Sequence, residues 1–350
     1  MIGFTLARIL LPWLLVAALL GACTSERLFR REAYLFGTRI ELLIHGAPTA
    51  RADAAASAVL AEFERLHREW HAWEPSALTA LNASLRARQT ATVSTELAQL
   101  LSTSIEISRQ SDGLFEPALG AFVAAWGFHA DHFTPRRPEP TLIRQLLSGR
   151  PRITDLEIDG NLVRSRNPNV QLDLGGIAKG YALDRAAAIL TRAGIDNALI
   201  NIGGNILALG RRGDRAWRVG IQHPRGGEPM GSVELHSGEA IGTSGDSQRY
   251  FELDGRRFAH IIDPRTGEPG QGTMQVTVLV GREHAADGGT GLWSDAASKP
   301  LFLASPERWK DVAAAMHITH VLRIDASSRI EMTSAMAARF RPAGNATMPP

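Results

Sequence analysis

The sequence predicts an α+β or mixed α/β fold, with mixed sheets and flanking helices. Two observations carry this. Apolar residues recur at helical spacing in a few separate stretches. Short alternating or β-branched runs, cut by Gly, Asp and Asn turns, fill most of the second half. Strands and helices do not alternate regularly, which argues against a doubly wound parallel sheet. With 350 residues and 44% hydrophobic content, the chain can bury a sizeable core. Its 38 basic and 36 acidic residues leave a net charge of only +2. The arginines are scattered, so composition makes no case for nucleic-acid binding.

The elements follow in order. Arg8 precedes an apolar run, residues 9–20, that is short for a membrane span and has the flanks of a secretory signal. It ends in Leu20-Gly21-Ala22-Cys23, which reads as a lipoprotein processing site. Cys23 is the only cysteine in the chain, so it has no disulfide partner within it. The expectation is a signal peptide over 1–22, a lipid on Cys23, a tether over 23–32 and a folded domain over 33–342. That places the protein in the cell envelope, facing the periplasm and held to the membrane by its lipid.

Residues 33–45 read as a strand, with Ile40, Leu42 and Ile44 alternating. Residues 49–70 read as a helix through Ala54, Ala58, Phe63 and Leu66. A second helix spans 95–111, stopped by Asp112-Gly113. The Pro-rich stretch 129–140 is a possible sub-boundary, and a short helix follows at 142–147. Strands are expected at 156–158, 162–164 and 170–173, then a helix at 176–193. Further strands are expected at 198–202, 206–211, 217–221, 233–236, 240–243, 249–253 and 274–280. Helices at 294–303 and 306–316 and strands at 321–324 and 329–332 close the chain.

Five runs could carry chemistry. In LDLGGIAKGY (172–181) a strand ends at Asp173 and glycines open a helix. Glycines let the backbone approach a ligand, and free N–H groups at a helix start attract phosphate. Lys179 could add a cation. The spacing fits neither a dinucleotide fingerprint nor a P-loop, so a plain strand–helix turn reads as well. NIGGN (201–205) suits a structural turn. TSGD (243–246) is followed by HIIDPRTG (260–267), where His260 ends a strand and could serve as a general base or simply cap a turn. In WSDAASKP (293–300), Asp295 could bind a metal or cap a helix.

Each run alone is weak, but their order and company are not. The chain resembles the ApbE family, the FAD:protein FMN transferases, from about residue 36 to 340. DLGGIAKGYALDR (173–185) matches the most recognisable family run. NIGGN, TSGD and HIIDPRTGEP (260–269) follow in family order, and FGT (36–38), the stretch 76–82, SDGLFEP (111–117) and Trp126-Gly127-Phe128 also fit. The resemblance implies a T-fold-like architecture and an enzyme that attaches FMN from FAD to a Ser or Thr of a target protein, releasing AMP. It implies FAD contacts at Phe36, Trp73, Phe115, Glu116, Asp173, Gly175, Lys179, Tyr181 and Ile262, with His260 as the catalytic residue. It implies Mg²⁺ held by the Ala178 carbonyl and the Asp295 side chain. It also implies a target among envelope or membrane redox subunits.

The departure is Lys299, where the family has a threonine ligand. An ammonium has three donors and no acceptor, so it cannot ligate Mg²⁺. Lys299 either points away and leaves a weak metal site, or pairs with Asp295 and the diphosphate and reduces Mg²⁺ dependence. Two other readings use the same residues: an FAD pyrophosphatase giving FMN and AMP, and a flavin-binding lipoprotein without catalysis.

Overall fold

A computed structural model describes residues 28–130 and 133–344. Residues 1–22 and Cys23 lie outside the described residues. The elements are β1 (Leu28–Leu35), β2 (Thr38–His45), α1 (Thr49–Glu69), α2 (Ala77–Arg86), β3 (Ala91–Thr92), α3 (Thr95–Gln110), α4 (Gly120–Ala125) and α5 (Pro140–Ser148). They continue as β4 (Leu156–Asp159), β5 (Leu162–Ser165), α6 (Ala178–Arg192), β6 (Ala198–Ile202), β7 (Asn205–Leu209), β8 (Trp217–Ile221), β9 (Gly231–Leu235), β10 (Ala240–Gly245), β11 (Tyr250–Leu253) and β12 (Arg256–Ala259). The last are β13 (Thr273–Val280), α7 (Thr290–Leu303), α8 (Trp309–Ala315), β14 (His320–Asp325), β15 (Ile330–Met332), α9 (Ser334–Arg339) and β16 (Arg341–Pro342).

An eight-stranded sheet in the order β1-β2-β6-β7-β10-β13-β14-β15 forms the frame. The period-2 alternation of its strands explains why both faces are covered. Ile40, Leu42, Ile44, Ile200, Ile202, Val276, Val278 and Val280 point to the helical side and join α1, α6 and α7 in the main core. Their alternates Leu43, Leu199, Ile206, Ala208, Ile241 and Leu279 face a second core, built with β8, β9 and α9 through Trp217, Val219, Val233, Met336 and Phe340. A third cluster, with Phe122, Trp126, Phe128, Phe251 and Phe258, supports the β11–β12 hairpin. The main core takes side chains from both sides of the stretch 129–140.

The α+β class holds, but several local expectations need correction. The sheets are antiparallel rather than mixed. Among the described residues, Leu119–Gln171 is the one parallel pairing, a single bridge. The expected tether over 23–32 is β-strand from Leu28 onward, and 33–45 is a hairpin rather than one strand, turning at Phe36-Gly37. Residues 170–173 form no strand. Their backbone is satisfied otherwise: Asn82 Nδ2 donates to the Leu172 carbonyl (2.9 Å), Asn82 Oδ1 accepts from Leu172 N–H (2.7 Å), and Asp173 N–H donates to the Pro117 carbonyl (2.8 Å). Helix α2 was not anticipated. Its capping box pairs Ser76 with Thr79 rather than with the usual Glu or Gln.

Two close approaches position the site. A Cβ on Gly180 would lie 2.3 Å from the Gly291 carbonyl oxygen and 2.6 Å from Asp295 Cβ, so α6 and α7 touch backbone to backbone. Asp184 of α6 then accepts hydrogen bonds from Gly291 N–H (2.9 Å) and Leu292 N–H (2.7 Å), capping α7 from outside. Every residue of α7 is buried except Lys299.

Candidate active site

The cleft lies where the β1–β2 turn, the end of α1, the segment 114–117, the turn before α6, the segment 260–262 and Lys299 converge. One wall is aromatic, formed by Phe36, Trp70, Trp73, Phe115 and Phe128. Phe36 and Gly37 both have positive φ (55° and 64°), the geometry of a tight hairpin turn. A phenylalanine there is strained, because its Cβ crowds the backbone. Its ring meets those of Phe63 (6.0 Å between centroids) and His67 (5.4 Å). Trp73 stands at the mouth, 40% exposed, edge-on to His71.

The floor is the turn 173–177. Asp173 Oδ1 accepts from Gly175 N–H (2.8 Å), and the Ile177 and Ala178 N–H groups donate to the Leu174 carbonyl (3.0 and 2.9 Å). Burial pushes the Asp173 carboxyl above its ordinary range. Lys179 Nζ donates to the Gly175 carbonyl at 3.3 Å, and Ala178, the first residue of α6, also lines the cleft.

Lys299 does not point away. Its ammonium donates to Asp295 Oδ1 in a short contact and to the Asp295 carbonyl at 2.8 Å. The other carboxylate oxygen of Asp295 accepts from Gly180 N–H at 2.9 Å. Both oxygens are therefore engaged, and Asp295 itself is fully buried. Burial pushes the Asp295 carboxyl up, but Lys299 and Lys179 outweigh it and hold it below the usual range. These residues do not fit a Mg²⁺ site built on Asp295, since the metal would have to displace the ammonium. Among the described residues no group of three or more His, Cys, Asp or Glu side chains could hold a metal ion.

His260 follows β12, and Arg249 precedes β11, so the aromatic-backed hairpin places both in the cleft. The His260 N–H donates to the Arg249 carbonyl at 3.1 Å, and Nδ1 lies 3.0 Å from the same oxygen. A carbonyl only accepts, so Nδ1 carries the proton and Nε2 keeps its lone pair. Burial, then the charges of Arg249 and Lys179, push the imidazole pKa down to about 3. The histidine is neutral at physiological pH.

Glu116 Oε1 accepts from the N–H groups of Ala118 (3.0 Å) and Ile153 (2.7 Å), while its buried Oε2 has no partner. Burial raises its pKa to about 7. Ile262 lines the cleft beside His260. A second hollow shares Ala72, Trp73 and Asp173 with the cleft and adds Thr79, Asn82, His129 and Gln171.

One expected contact is not made. Tyr181 does not line the cleft. Its ring lies against Trp70 (5.1 Å), and its hydroxyl donates to Glu96 Oε1 at 2.6 Å. Two residues on from Lys179, it lies on the other side of α6 and faces a half-buried ion network. NIGGN is the β6–β7 turn, and TSGD ends β10, where Asp246 pairs with Arg225 at 2.6 Å. Sequence reading missed Arg249, His67, His71 and Trp70. The last three sit in the His- and Trp-rich run HREWHAW (67–73), a visible signal; Arg249 offered none.

The chain is similar in sequence and in fold to known proteins. Residues 36–322 match the ApbE family. An FAD:protein FMN transferase of Rhodobacter capsulatus is 46% identical over 307 residues, which cover 88% of this chain and 57% of that protein. One of Klebsiella pneumoniae (strain 342) is 29% identical over 79% of this chain and 85% of its own length. The chain thus spans little more than half of the first relative and most of the second. Among solved structures, the ApbE protein of Thermotoga maritima superposes with a TM-score of 0.81 at 27% identity, over 90% of this chain and 100% of its own. The apo flavinyl transferase ApbE of Pseudomonas stutzeri gives 0.76 at 26% identity, over 91% and 98%. With the glycine turn, the histidine after β12 and the aromatic wall all inside the matched span, the chain belongs to the ApbE family.

Proposed function

We propose that this protein is an FAD:protein FMN transferase, moving the FMN half of FAD onto a Ser or Thr hydroxyl of a target protein and releasing AMP. The observation that carries this reading is the meeting in one cleft of a neutral histidine, three cations and an aromatic wall. A flavin needs an apolar slot, and Phe36, Trp73 and Phe115 supply one. A diphosphate needs positive charge, which Lys179, Lys299 and Arg249 supply. The hollow beyond Trp73 and Asp173 leaves room for the adenosine half. The unpartnered Glu116 Oε2 is an acceptor for an N–H or O–H of the substrate.

In the reaction the acceptor oxygen attacks the phosphorus next to the FMN half. Its proton passes to His260 Nε2. The bond to the bridging oxygen breaks, and its electron pair leaves on the phosphate of AMP. A base with a pKa near 3 is weak. The bound diphosphate offsets the cations that depress it, so the substrate itself raises the basicity of His260. Lys299 occupies the Asp295 oxygen that a Mg²⁺ ion would use.

The test is to incubate the chain, without residues 1–23, with FAD and an acceptor carrying a Ser/Thr flavinylation motif. The acceptor should gain the mass of one FMN, and His260→Ala should lose that gain. AMP release without gain would point to an FAD pyrophosphatase, and intact bound FAD to a flavin-binding protein.

We further propose a lipid anchor at Cys23 and an envelope location, with a membrane redox subunit as target. The support is the run 9–20 and Leu20-Gly21-Ala22-Cys23. Among the described residues no helix is long and apolar enough to cross a membrane. Cys23→Ala should move the protein from the membrane fraction to the soluble one; retention in the membrane would argue against the lipid.

A further inference from the structure

We propose that the Lys299 ammonium, clamped by Asp295, is a built-in cation for a diphosphate, so that this chain binds its nucleotide without a divalent metal. The inference rests on the FAD reading for the identity of the nucleotide, but not for the anion site.

Asp295 is fully buried and fixed at both ends, by Gly180 N–H on one oxygen and Lys299 on the other. The close crossing at Gly180 and Gly291 keeps it there. An ammonium has three N–H donors. Two are committed to Asp295, to its carboxylate and its carbonyl. The third is left for a ligand in the cleft that Lys299 lines. The lysine stem passes over the glycine turn: a Cβ on Gly176 would sit 3.9 Å from Lys299 Cε and 3.6 Å from the Phe115 ring. The ammonium is thus carried to the floor where the α6 backbone begins.

Charge and residue choice point the same way. Lys179, Lys299 and Arg249 face Asp173, Glu116 and Asp295, and burial disfavours charge on Asp173 and Glu116. With both of those carboxyls protonated, two net positive charges stand against the two negative charges of a diphosphate. The chain has three lysines among its 38 basic residues, Lys179, Lys299 and Lys310, and two of them line this cleft. Lysine is a compact point charge with rotatable donors, the closer mimic of a small cation than the planar arginine fork. A divalent ion on Asp295 Oδ1 would have to sit about 2 Å from that oxygen, against the ammonium already bonded to it. Metal and lysine therefore compete for one oxygen.

The experiment reads binding rather than turnover. FAD binding is followed by flavin fluorescence, and inorganic pyrophosphate binding by calorimetry, each in EDTA and in excess Mg²⁺. The expected result is that both bind the parent protein in EDTA and that Mg²⁺ changes neither affinity more than twofold. Lys299→Met should weaken both about tenfold to hundredfold in EDTA, the size of a lost charge-assisted bond. Mg²⁺ should restore part of that loss, because Asp295 Oδ1 is freed. Binding of both ligands by the parent only when Mg²⁺ is present would overturn the proposal, whatever the variant does. Pyrophosphate binding in EDTA without FAD binding would keep the anion site and reject the flavin reading. Binding of neither in either condition would reject both.

Discussion

Two charged clusters touch helix α6 and are built on opposite principles. On one side Arg65 donates to Glu62, Glu69 and Glu96, each at 2.8 Å, Arg185 donates to Glu62 at 2.9 Å, and Tyr181 donates to Glu96. Every charge there has a partner, and the Arg65 hydrogen bond helps hold Glu62 down at about 2. On the other side Lys179, Lys299 and Arg249 surround a histidine that stays neutral and an aspartate pushed upward. A balanced network neutralises itself and holds elements together. A cluster with excess positive charge is destabilising until an anion arrives, which is the signature of a binding site. The family's sequence run DLGGIAKGYALDR feeds both. Asp173, Gly175 and Lys179 serve the cleft, while Tyr181 and Arg185 serve the network and Asp184 caps α7.

Breaking the cleft chemistry gives the largest effect. His260→Ala should lower flavinylation about 10²- to 10⁴-fold, the range of a lost general base, with FAD affinity nearly unchanged; equal losses in rate and affinity would make the histidine a binding residue. Next comes the crossing that places Lys299. Gly180→Ala drives a methyl into the Gly291 carbonyl and should cost about 1–3 kcal/mol in urea unfolding. The turn at Phe36 should respond with opposite signs. Phe36→Asn relieves a strained positive φ and should stabilise the protein by about 1 kcal/mol while weakening FAD binding.

Acid titration separates the clusters further. The folded pKa of His260 is depressed from 6.5 to about 3, so the unfolded chain binds a proton first. The parent then loses stability as pH falls from 6.5 towards 3. The stability advantage of the parent over His260→Ala should shrink across that window, and a constant difference would show that the imidazole is not held neutral. The smallest effect belongs to the balanced network. Tyr181→Phe removes one hydrogen bond and should cost about 1 kcal/mol of stability with no change in FAD affinity. A drop in affinity would return Tyr181 to the cleft.

Much of the fold was legible because its signals are local. The strand Trp217–Ile221 and the helix Thr95–Gln110 follow from alternation, periodicity and a turn signal within a few residues. The strand expected at 170–173 failed because its apolar alternation is real but its hydrogen bonds go to Asn82 and Pro117, both distant in sequence. Helix α2 escaped because its cap closes through Thr79.

The site divides in the same way. The sequence by itself determined which chemical groups were available: the glycine turn, His260, Asp295 and the anomalous Lys299, all carried by short runs. Tertiary structure alone decided their partners. It turned Tyr181 into the ion network, brought Arg249 beside His260 across the β11–β12 hairpin, and closed Lys299 onto Asp295 rather than away from it. The physical reason is that hydrogen-bond partners and desolvation depend on contacts between residues far apart in the chain. The Gly180–Gly291 crossing sets those contacts for the lysine, and no local pattern of residues specifies that crossing.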